Sequence, residues 1–256
     1  EVKQDKAYQQ AAGCLPPLRA AQLAALEGQE EVEELRFRAG RPPAVKTARG
    51  ERELELAVVT AQELREILSR AARYSVHSYT ESLKNGFVTL TGGHRLGVCG
   101  TAAEENGKVV GIRGLSSVNL RIARQAWGVD AVIAPWVGEG EPQSMLLLSP
   151  PGFGKTTLLR EWVRAVSDKG HTVAVADERG EVAALADGVP QFAIGRCTDV
   201  LENCSKKRAA LMLLKTMSPA LLAFDEITAP EDVEAVSLCA HCGTAVLATA
   251  HAAGTD

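Results

Sequence analysis

One stretch, Ser144 to Thr157, limits what this chain can fold into more than any other. It opens with the apolar run Met145 to Leu148, passes through a turn rich in proline and glycine, and leads into a segment with helical spacing, Thr156 to Val166. Strand, turn and helix in this order are typical of a phosphate-binding loop. The spacing matches the pattern G-x-x-x-x-G-K-[ST], with Ser149 in place of the first glycine. We therefore predict that the chain binds a nucleoside triphosphate.

Each part of this loop has a predicted chemical task. Backbone N–H groups of the turn and of the helix N-terminus donate to phosphate oxygens. The Lys155 ammonium is expected on the β- and γ-phosphates, and the Thr156 hydroxyl is expected to complete the coordination shell of Mg²⁺. The predicted ligands are therefore ATP and Mg²⁺. The predicted nucleotide-binding residues are Ser149, Pro150, Pro151, Gly152, Phe153, Gly154, Lys155, Thr156 and Thr157.

Length and composition limit the remaining possibilities. A chain of 256 residues can bury the cores of two domains. The formal net charge of −4 gives no global sign of binding to nucleic acid or to a membrane surface. No apolar run reaches bilayer length, the first residues carry no hydrophobic signal core, and six scattered cysteines do not make a disulfide framework. We expect a cytoplasmic protein whose ends are trimmed, with a C-terminal piece missing.

The first half of the chain predicts a small α/β domain, residues 1–127. Its predicted helices are 15–26 and 60–73, the second opened by the capping box Thr60-Ala-Gln-Glu63. Its predicted strands are 34–38, 44–46, 53–56, 86–91, 94–99, 108–112 and 117–123. A new pattern begins at the domain boundary, which we place at Gln125 to Gly128.

From residue 128 to residue 256, strands and helices alternate, which predicts a mainly parallel sheet. The predicted elements are a helix capped by Asp130 and running to Val137, a strand at 145–148, a helix at 156–166, a strand at 171–176, a loop or short strand at 190–199, a helix at 206–217, a strand at 220–224, a helix at 230–240 and a strand at 244–250. The predicted fold class is α/β, with this domain preceded by the smaller one.

Two carboxylates follow the predicted strand 220–224. Parallel strands point their C-terminal ends at the ligand crevice, so Asp225 and Glu226 are expected beside Thr156. There Asp225 would hold Mg²⁺ through water, and Glu226 would polarise the attacking water. The pair therefore predicts hydrolysis of the bound nucleotide.

Two further strands end in polar residues. The strand 171–176 is followed by Asp177-Glu-Arg-Gly-Glu181. If it neighbours the strand of the phosphate-binding loop, these acids face the same γ-phosphate and position water or metal; otherwise they belong to a solvated turn. The strand 244–250 leads into Thr249-Ala-His251, which would bring a hydroxyl or an imidazole to the crevice as a γ-phosphate sensor.

Three other features allow more than one interpretation. Cys239-Ala-His-Cys242 has the spacing of a metal site but lacks a second pair of ligands, so we interpret it as incidental. The basic residues between Arg36 and Arg52 could track a phosphate backbone, although the glutamates between them favour a solvated sheet face. A ring-forming ATPase also needs a guanidinium that reaches the phosphates from another domain or subunit. The arginines available for that role are Arg113, Arg121, Arg124, Arg179 and Arg196.

The strand-end motifs stand in the order found in the secretion ATPases of the type II and type IV families, which this sequence resembles. Ser149 to Thr157 resembles their Walker A motif, Asp177 to Glu181 their acidic box, Leu221 to Glu226 their Walker B motif and Thr249 to His251 their histidine box. More closely, the chain looks like the stage III sporulation protein AA family of endospore-forming bacteria. The segments that carry this likeness are Glu34 to Pro43, Gly92 to Gly100, Asp177 to Glu181 and Met217 to Ile227.

The resemblance implies a RecA-like P-loop ATPase core behind the small N-terminal domain. It implies a homo-oligomeric ring, a hexamer, at the mother-cell side of the membrane that faces the forespore, working with membrane proteins of the channel between the two cells. The catalytic residues would be Glu226, assisted by Glu178, together with Lys155 and His251. Nucleic acid is not an expected partner. Two alternatives stay open: a nucleic-acid-binding P-loop protein, and a nucleotide-gated scaffold with little turnover.

Overall fold

In a computed structural model, residues 5–72, 86–105, 108–125, 129, 133–138 and 140–252 are described. The chain divides into two compact units. The first comprises residues 1–124 with 186–191, and the second comprises residues 125–185 with 192–256. Residues 126–128 of the predicted boundary and the start of the helix predicted from Asp130 lie outside the described residues. None of the helices in the described ranges has both the length and the apolar character needed to cross a membrane.

The first unit contains a six-stranded antiparallel sheet in the order β3-β2-β1-β6-β5-β4. Its elements are α1 Lys6–Ala12, α2 Pro17–Ala24, β1 Glu34–Arg38, β2 Ala44–Thr47, β3 Gly50–Glu53, α3 Ala61–Ala72, β4 Phe87–Thr89, β5 Arg95–Glu105 and β6 Lys108–Arg121. The helices and strands share one apolar core, in which Tyr8, Leu23, Phe37, Leu64 and Leu120 are buried. Burial of these side chains is the main force that holds the helices on the sheet.

Several predictions for the first unit need correction. Helix α1 was not predicted. Strand β3 spans 50–53 rather than 53–56, because the tight turn after β2 pairs Thr47 with Gly50 and starts the ladder at once. The predicted strands 108–112 and 117–123 belong to one continuous strand, β6, and the gap between them coincides with a register shift in the pairing with β5, opposite Cys99 to Thr101. The predicted capping of α3 is present, since the Thr60 hydroxyl accepts the Glu63 N–H at 3.0 Å.

The second unit contains a five-stranded sheet in the order β7-β11-β10-β8-β9, and every pair in it is parallel. Its elements are β7 Met145–Ser149, α4 Lys155–Asp168, β8 Val173–Asp177, β9 Thr198–Glu202, α5 Lys206–Thr216, β10 Leu221–Phe224, α6 Pro230–His241 and β11 Ala245–His251. The predicted parallel sheet is confirmed.

Alternate residues of the central strands face opposite sides of this sheet. Val173 and Val175 pack with α4. Ala174 and Ala176, one residue along, pack with α5 and α6. Both faces are covered, which explains why the central strands are apolar at every position.

The strand order decides which loops meet at the C-terminal edge. Strand β8 neighbours β10 and β9, and strand β7 pairs with β11 alone. The condition that the acidic strand neighbours the strand of the phosphate-binding loop was therefore wrong. The neighbour of β7 is β11, which ends at His251 in register with Ser149.

Candidate nucleotide-binding site

The predicted phosphate-binding loop joins β7 to α4. Gly152 and Gly154 have φ angles of 81° and 80°, the left-handed region that favours glycine. Gly154 is also the N-cap of α4. Ser149 ends β7 with extended backbone and pairs with His251, so this position does not need glycine. The departure from the usual pattern at Ser149 is thus compatible with the loop.

The Lys155 ammonium lies over the start of its own loop. It donates to the carbonyl oxygens of Ser149 at 2.7 Å and Pro150 at 2.9 Å, and its Nζ lies 2.9 Å from Nδ1 of His251. These contacts place the cation at the mouth of the turn, next to the N-terminus of α4. Phe153, at the tip of the turn, is 76% exposed.

Two hydroxyl groups hold the carboxylate of Asp225. The Thr156 hydroxyl donates to Oδ2 at 2.7 Å, and the Thr249 hydroxyl donates to Oδ1 at 2.6 Å. Thr249 is fully buried and lies on β11, between β7, which leads to the loop before Thr156, and β10, which Asp225 follows. Asp225 is therefore fixed beside the first turn of α4, at the carboxyl edge of the parallel sheet.

Glu226 is held in an unusual backbone conformation. Its φ is 57°, a left-handed value that costs free energy for a residue with a side chain. Its N–H donates to the Thr249 hydroxyl at 2.7 Å. Its carboxylate forms an ion pair with Arg179 and lies 3.0 Å from Nε2 of His251. Strand β10 ends at Phe224, and in this backbone conformation the Glu226 side chain contacts His251.

The hydrogen bonds of His251 define its tautomer. An ammonium can only donate, so Nδ1 accepts from Lys155, and the ring proton is on Nε2, which donates to Glu226. A continuous polar chain thus runs from Lys155 through His251 and Glu226 to Arg179. A displacement of the Lys155 ammonium therefore changes the hydrogen bonds of His251, which also contacts Glu226.

Asp177, the first acid of the predicted acidic box, points into the protein. It is 1% exposed and accepts backbone N–H groups from Glu181, Val182 and Ala183 at 2.8, 3.0 and 2.9 Å. Burial raises the pKa of Asp177 above its usual range, and these three hydrogen bonds oppose the rise. Its visible role is to shape the loop that follows β8.

Arg160, on α4, fixes the same loop from the other side. Its guanidinium donates to the carbonyl oxygens of Val182 and Glu181, both at 2.7 Å, and lies 4.0 Å from the ring centre of Phe192. It is 6% exposed, and burial lowers its pKa. The helix of the phosphate-binding loop and the acidic box are therefore bound to each other.

Glu178 has a different partner from the other predicted catalytic residues. Its carboxylate accepts from the Lys206 ammonium at 2.5 Å. The same ammonium lies 3.6 Å from Oδ2 of Asp232, near the start of α6. The structure thus brings Lys155, Thr156, Asp225, Glu226 and His251 into one connected network, and it places the Glu178 carboxylate in a second one.

The remaining candidates have other surroundings. The Arg124 guanidinium donates to the carbonyl oxygens of Val32 and Gln29 inside the first unit, and Arg179 pairs with Glu226. Burial raises the pKa of the Cys239 thiol to about 11. Within the described residues, no cluster of His, Cys, Asp or Glu is arranged to hold a metal ion.

Arg160 and Lys206 were not among the predicted site residues. A signal existed for each of them. Arg160 lies next to Leu159 on the side of α4 that enters the core, where a cation needs a buried partner. Lys206 opens a helix whose first turn contains no acid, although acids are favoured there.

The profile of the family described as "Sporulation stage III, protein AA" matches residues 3–256. The stage III sporulation protein AA of Bacillus subtilis is 38% identical over 226 residues, which are 86% of this chain and 73% of that protein. The protein SEEDLING PLASTID DEVELOPMENT 1 of Arabidopsis thaliana is 27% identical over 94% of this chain and 33% of its own length.

Two solved structures share the fold. The ATPase DotB of Legionella pneumophila has a TM-score of 0.57 at 14% identity and covers 88% of this chain. The pilus retraction motor PilT, solved with bound ADP, has a TM-score of 0.60 at 17% identity and covers 86% of this chain. This chain spans 63% of the length of each. The predicted α/β class with a RecA-like P-loop core is confirmed.

Proposed function

The chain belongs to the stage III sporulation protein AA family, and on that premise we propose that it binds and hydrolyses ATP as a motor of the channel between mother cell and forespore. The nucleotide site comprises residues 149–157 together with Asp225, Glu226 and His251. We further propose a homo-oligomeric ring, peripheral to the membrane on the mother-cell side, in contact with membrane proteins of the channel. The solved neighbours named an ATPase and a motor support this proposal through their shared fold.

One observation carries the proposal. The Thr156 hydroxyl and the Asp225 carboxylate, 69 positions apart in sequence, meet at 2.7 Å beside the lysine of the phosphate-binding loop. Hydroxyl and carboxylate oxygens are the hard ligands that Mg²⁺ prefers, and the two residues lie where a nucleotide's phosphates would meet the N-terminus of α4. The residues present therefore fit Mg²⁺, which Thr156 and Asp225 would hold. When bound, Mg²⁺ neutralises charge on the phosphate oxygens.

Lys155 acts first in the proposed mechanism. Its ammonium exchanges the carbonyl oxygens of Ser149 and Pro150 for oxygens of the β- and γ-phosphates. The exchange draws the ammonium away from Nδ1 of His251, which then loses a hydrogen-bond donor. Phosphate binding thereby changes the hydrogen bonds of the imidazole, as the predicted sensor role of His251 requires.

Glu226 acts next, and it must change partners to do so. The Arg179 guanidinium occupies the Glu226 carboxylate, so Arg179 has to release Glu226 before the glutamate can orient the attacking water and take its proton. His251 keeps one carboxylate oxygen oriented by its Nε2–H. The other oxygen then faces the attacking water. The assisting role of Glu178 stays a prediction.

The decisive experiment uses the Lys155→Ala variant. We expect loss of ATP binding and of phosphate release, because the variant removes the cation that contacts two phosphates. Lys215→Ala is the matched control, since it removes the same charge from an exposed position in the last turn of α5. Full turnover and unchanged nucleotide affinity in Lys155→Ala would refute the proposed function.

A second candidate function, a nucleotide-gated scaffold with little turnover, is favoured by a specific contact. The Arg179–Glu226 ion pair neutralises the glutamate that hydrolysis needs. If nucleotide binding leaves this pair intact, the chain switches conformation without efficient hydrolysis. Turnover measured with and without the membrane partners separates the scaffold from the motor.

The nucleic-acid alternative has weaker support. Arg36 pairs with Glu34 at 2.7 Å and lies 3.5 Å from Glu51, and Arg38 pairs with Glu51. Hydrogen-bonded basic partners lower the pKa of Glu51, with Arg38 the largest cause. Arg36 and Arg38 therefore already have anionic partners. Salt-dependent binding of an oligonucleotide that disappears when Arg36 and Arg38 are neutralised would restore this alternative.

A further inference from the structure

Lys206 is a buried cation in an unfavourable place. It is the first residue of α5, and its side chain is 5% exposed. The N-terminus of a helix carries partial positive charge, so a lysine there is electrostatically disfavoured, and burial of its ammonium adds a desolvation cost. Such a position is stable only where anionic groups compensate the charge. The anionic groups that contact Lys206 therefore explain how a cation is stable at this position.

Two carboxylates supply the compensation, and they come from different segments of the chain. Glu178 Oε2 lies 2.5 Å from Nζ of Lys206, and Asp232 Oδ2 lies 3.6 Å from it. Glu178 follows β8 directly, in the acidic box. Asp232 is in the first turn of α6, the helix that follows β10 and its Asp225-Glu226 pair.

Asp232 fixes the segment 225–229 between β10 and α6, which we call the Walker B loop. Its Oδ2 accepts the N–H groups of Thr228 at 2.9 Å and Ala229 at 3.1 Å, which closes the chain just after Glu226. Burial acts to raise the pKa of Asp232, but the hydrogen bonds of the backbone and of Lys206 outweigh it and lower the pKa. The carboxylate that closes the loop is therefore the ionised form, and Lys206 helps to keep it so.

We propose that Lys206 is a positioning residue that couples the acidic box to the Walker B loop, and so sets Glu178 and Glu226 relative to each other. The proposal rests on the proposed ATPase function, since its consequence is the geometry of the two glutamates assigned to water activation. Lys206 itself contacts neither Lys155 nor Thr156 among the contacts described above. Its substitution should therefore change turnover far more than nucleotide affinity.

The neighbouring lysine provides a matched control. Lys207 carries the same charge on the same turn of α5, but its side chain is 44% exposed, and its ion pair is with Glu234 on the outer part of α6. Lys207→Met removes a charge without touching either loop. A general effect of charge or of helix packing would appear in both variants, whereas loop coupling would appear only in Lys206→Met.

The experiment measures kcat, KM and equilibrium nucleotide affinity for five full-length variants: Lys206→Met, Lys206→Arg, Lys207→Met, Glu178→Gln and the double variant Lys206→Met/Glu178→Gln. We expect Lys206→Met to lower kcat at least 10-fold with nucleotide affinity changed less than twofold. Lys207→Met should stay within twofold in all constants, and Lys206→Arg should recover part of the lost kcat because it keeps the charge. The double variant should be no slower than the slower single variant, since both remove the same coupling.

Three results would overturn the proposal. They are a kcat for Lys206→Met within twofold of the wild type, an equal loss of kcat and nucleotide affinity, and multiplicative effects of Lys206→Met and Glu178→Gln. Failure of the proposed ATPase function has a different signature, because the wild-type chain would then show no turnover at all. In that case, or if Lys206→Met is too unstable to assay, amide hydrogen exchange in Lys206→Arg and Glu178→Gln carries the test. Faster exchange in both 177–183 and 226–232 supports the coupling, and a change confined to one segment refutes it.

Discussion

The buried carboxylate of Asp177 allows a quantitative test of how the acidic box is built. The perturbation is Asp177→Ala, which removes the acceptor of three backbone N–H groups. The conservative partner is Asp177→Asn, which keeps the size of the side chain and one acceptor oxygen. If Asp177 shapes the loop, the two variants must differ in stability by an amount that follows from the hydrogen bonds they lose.

The magnitude follows from which donors are left unsatisfied. Val182 and Ala183 are fully buried, so their N–H groups have no access to solvent, whereas Glu181 is only partly buried. A buried unsatisfied donor costs roughly 1–3 kcal/mol, and release of the carboxylate from its desolvated position returns part of that cost. We expect Asp177→Ala to destabilise the second unit by about 3 kcal/mol, because two buried N–H donors lose their acceptor. For Asp177→Asn, whose amide oxygen can still accept, we expect about 1 kcal/mol.

The assay exploits the distribution of tryptophan. All three tryptophans of the chain, Trp127, Trp136 and Trp162, belong to the second unit. Urea unfolding followed by tryptophan fluorescence therefore reports this unit even if the first unit unfolds separately, a case in which a single two-state analysis of the chain would fail. Equal stability of the two variants, or a loss below about 1 kcal/mol for Asp177→Ala, would refute the structural role of this carboxylate.

Three further predictions concern other residues. Burial lowers the pKa of His94 to about 4 from 6.5, so the unfolded chain binds a proton that the folded chain does not; stability should fall by up to about 3 kcal/mol as pH drops from about 6.5 to about 4. Urea unfolding followed by circular dichroism should show this slope in the wild type and a smaller one in His94→Gln. Thr156→Ala should raise roughly 10-fold the Mg²⁺ concentration needed to support ADP binding in a titration, because the proposed metal loses one ligand. Arg179→Met should change kcat with ATP affinity nearly unchanged, and an unaltered kcat would show that the Arg179–Glu226 pair does not control the glutamate.

Local sequence predicted the parts of the site that depend on short-range geometry. Pro150 to Gly154 contains the glycines that a left-handed turn requires, and the apolar run before it predicted a strand, which is β7 with half-buried and exposed positions in alternation. The capping hydroxyl of Thr60 was readable for the same reason, since cap and helix lie within four residues of each other. The order of helices and strands in the second unit was likewise readable from periodicity, and it implied parallel pairing.

Pairing between distant segments was harder to predict from the sequence. Strand β3 was displaced by three residues because the hairpin turn sets its register. Strand β6 was predicted as two strands, whose gap coincides with the register shift in its ladder with β5. The partners of charged side chains could not be predicted from the sequence for a related reason. Glu178 meets Lys206, and Glu226 meets Arg179, across loops whose spacing no local pattern encodes.

By itself, then, the sequence predicted four motifs at strand ends: the phosphate-binding loop, the acidic box, the Walker B motif and the histidine box. Only the tertiary structure decided which of them are neighbours. Every strand of a parallel sheet can form the same backbone ladder with any other, so strand order depends on crossover connections and on the packing of helices over both faces. That choice put β11 beside β7 and moved β8 two strands farther away. As a result, His251 contacts Lys155, and Glu178 is held by a lysine that no motif contains.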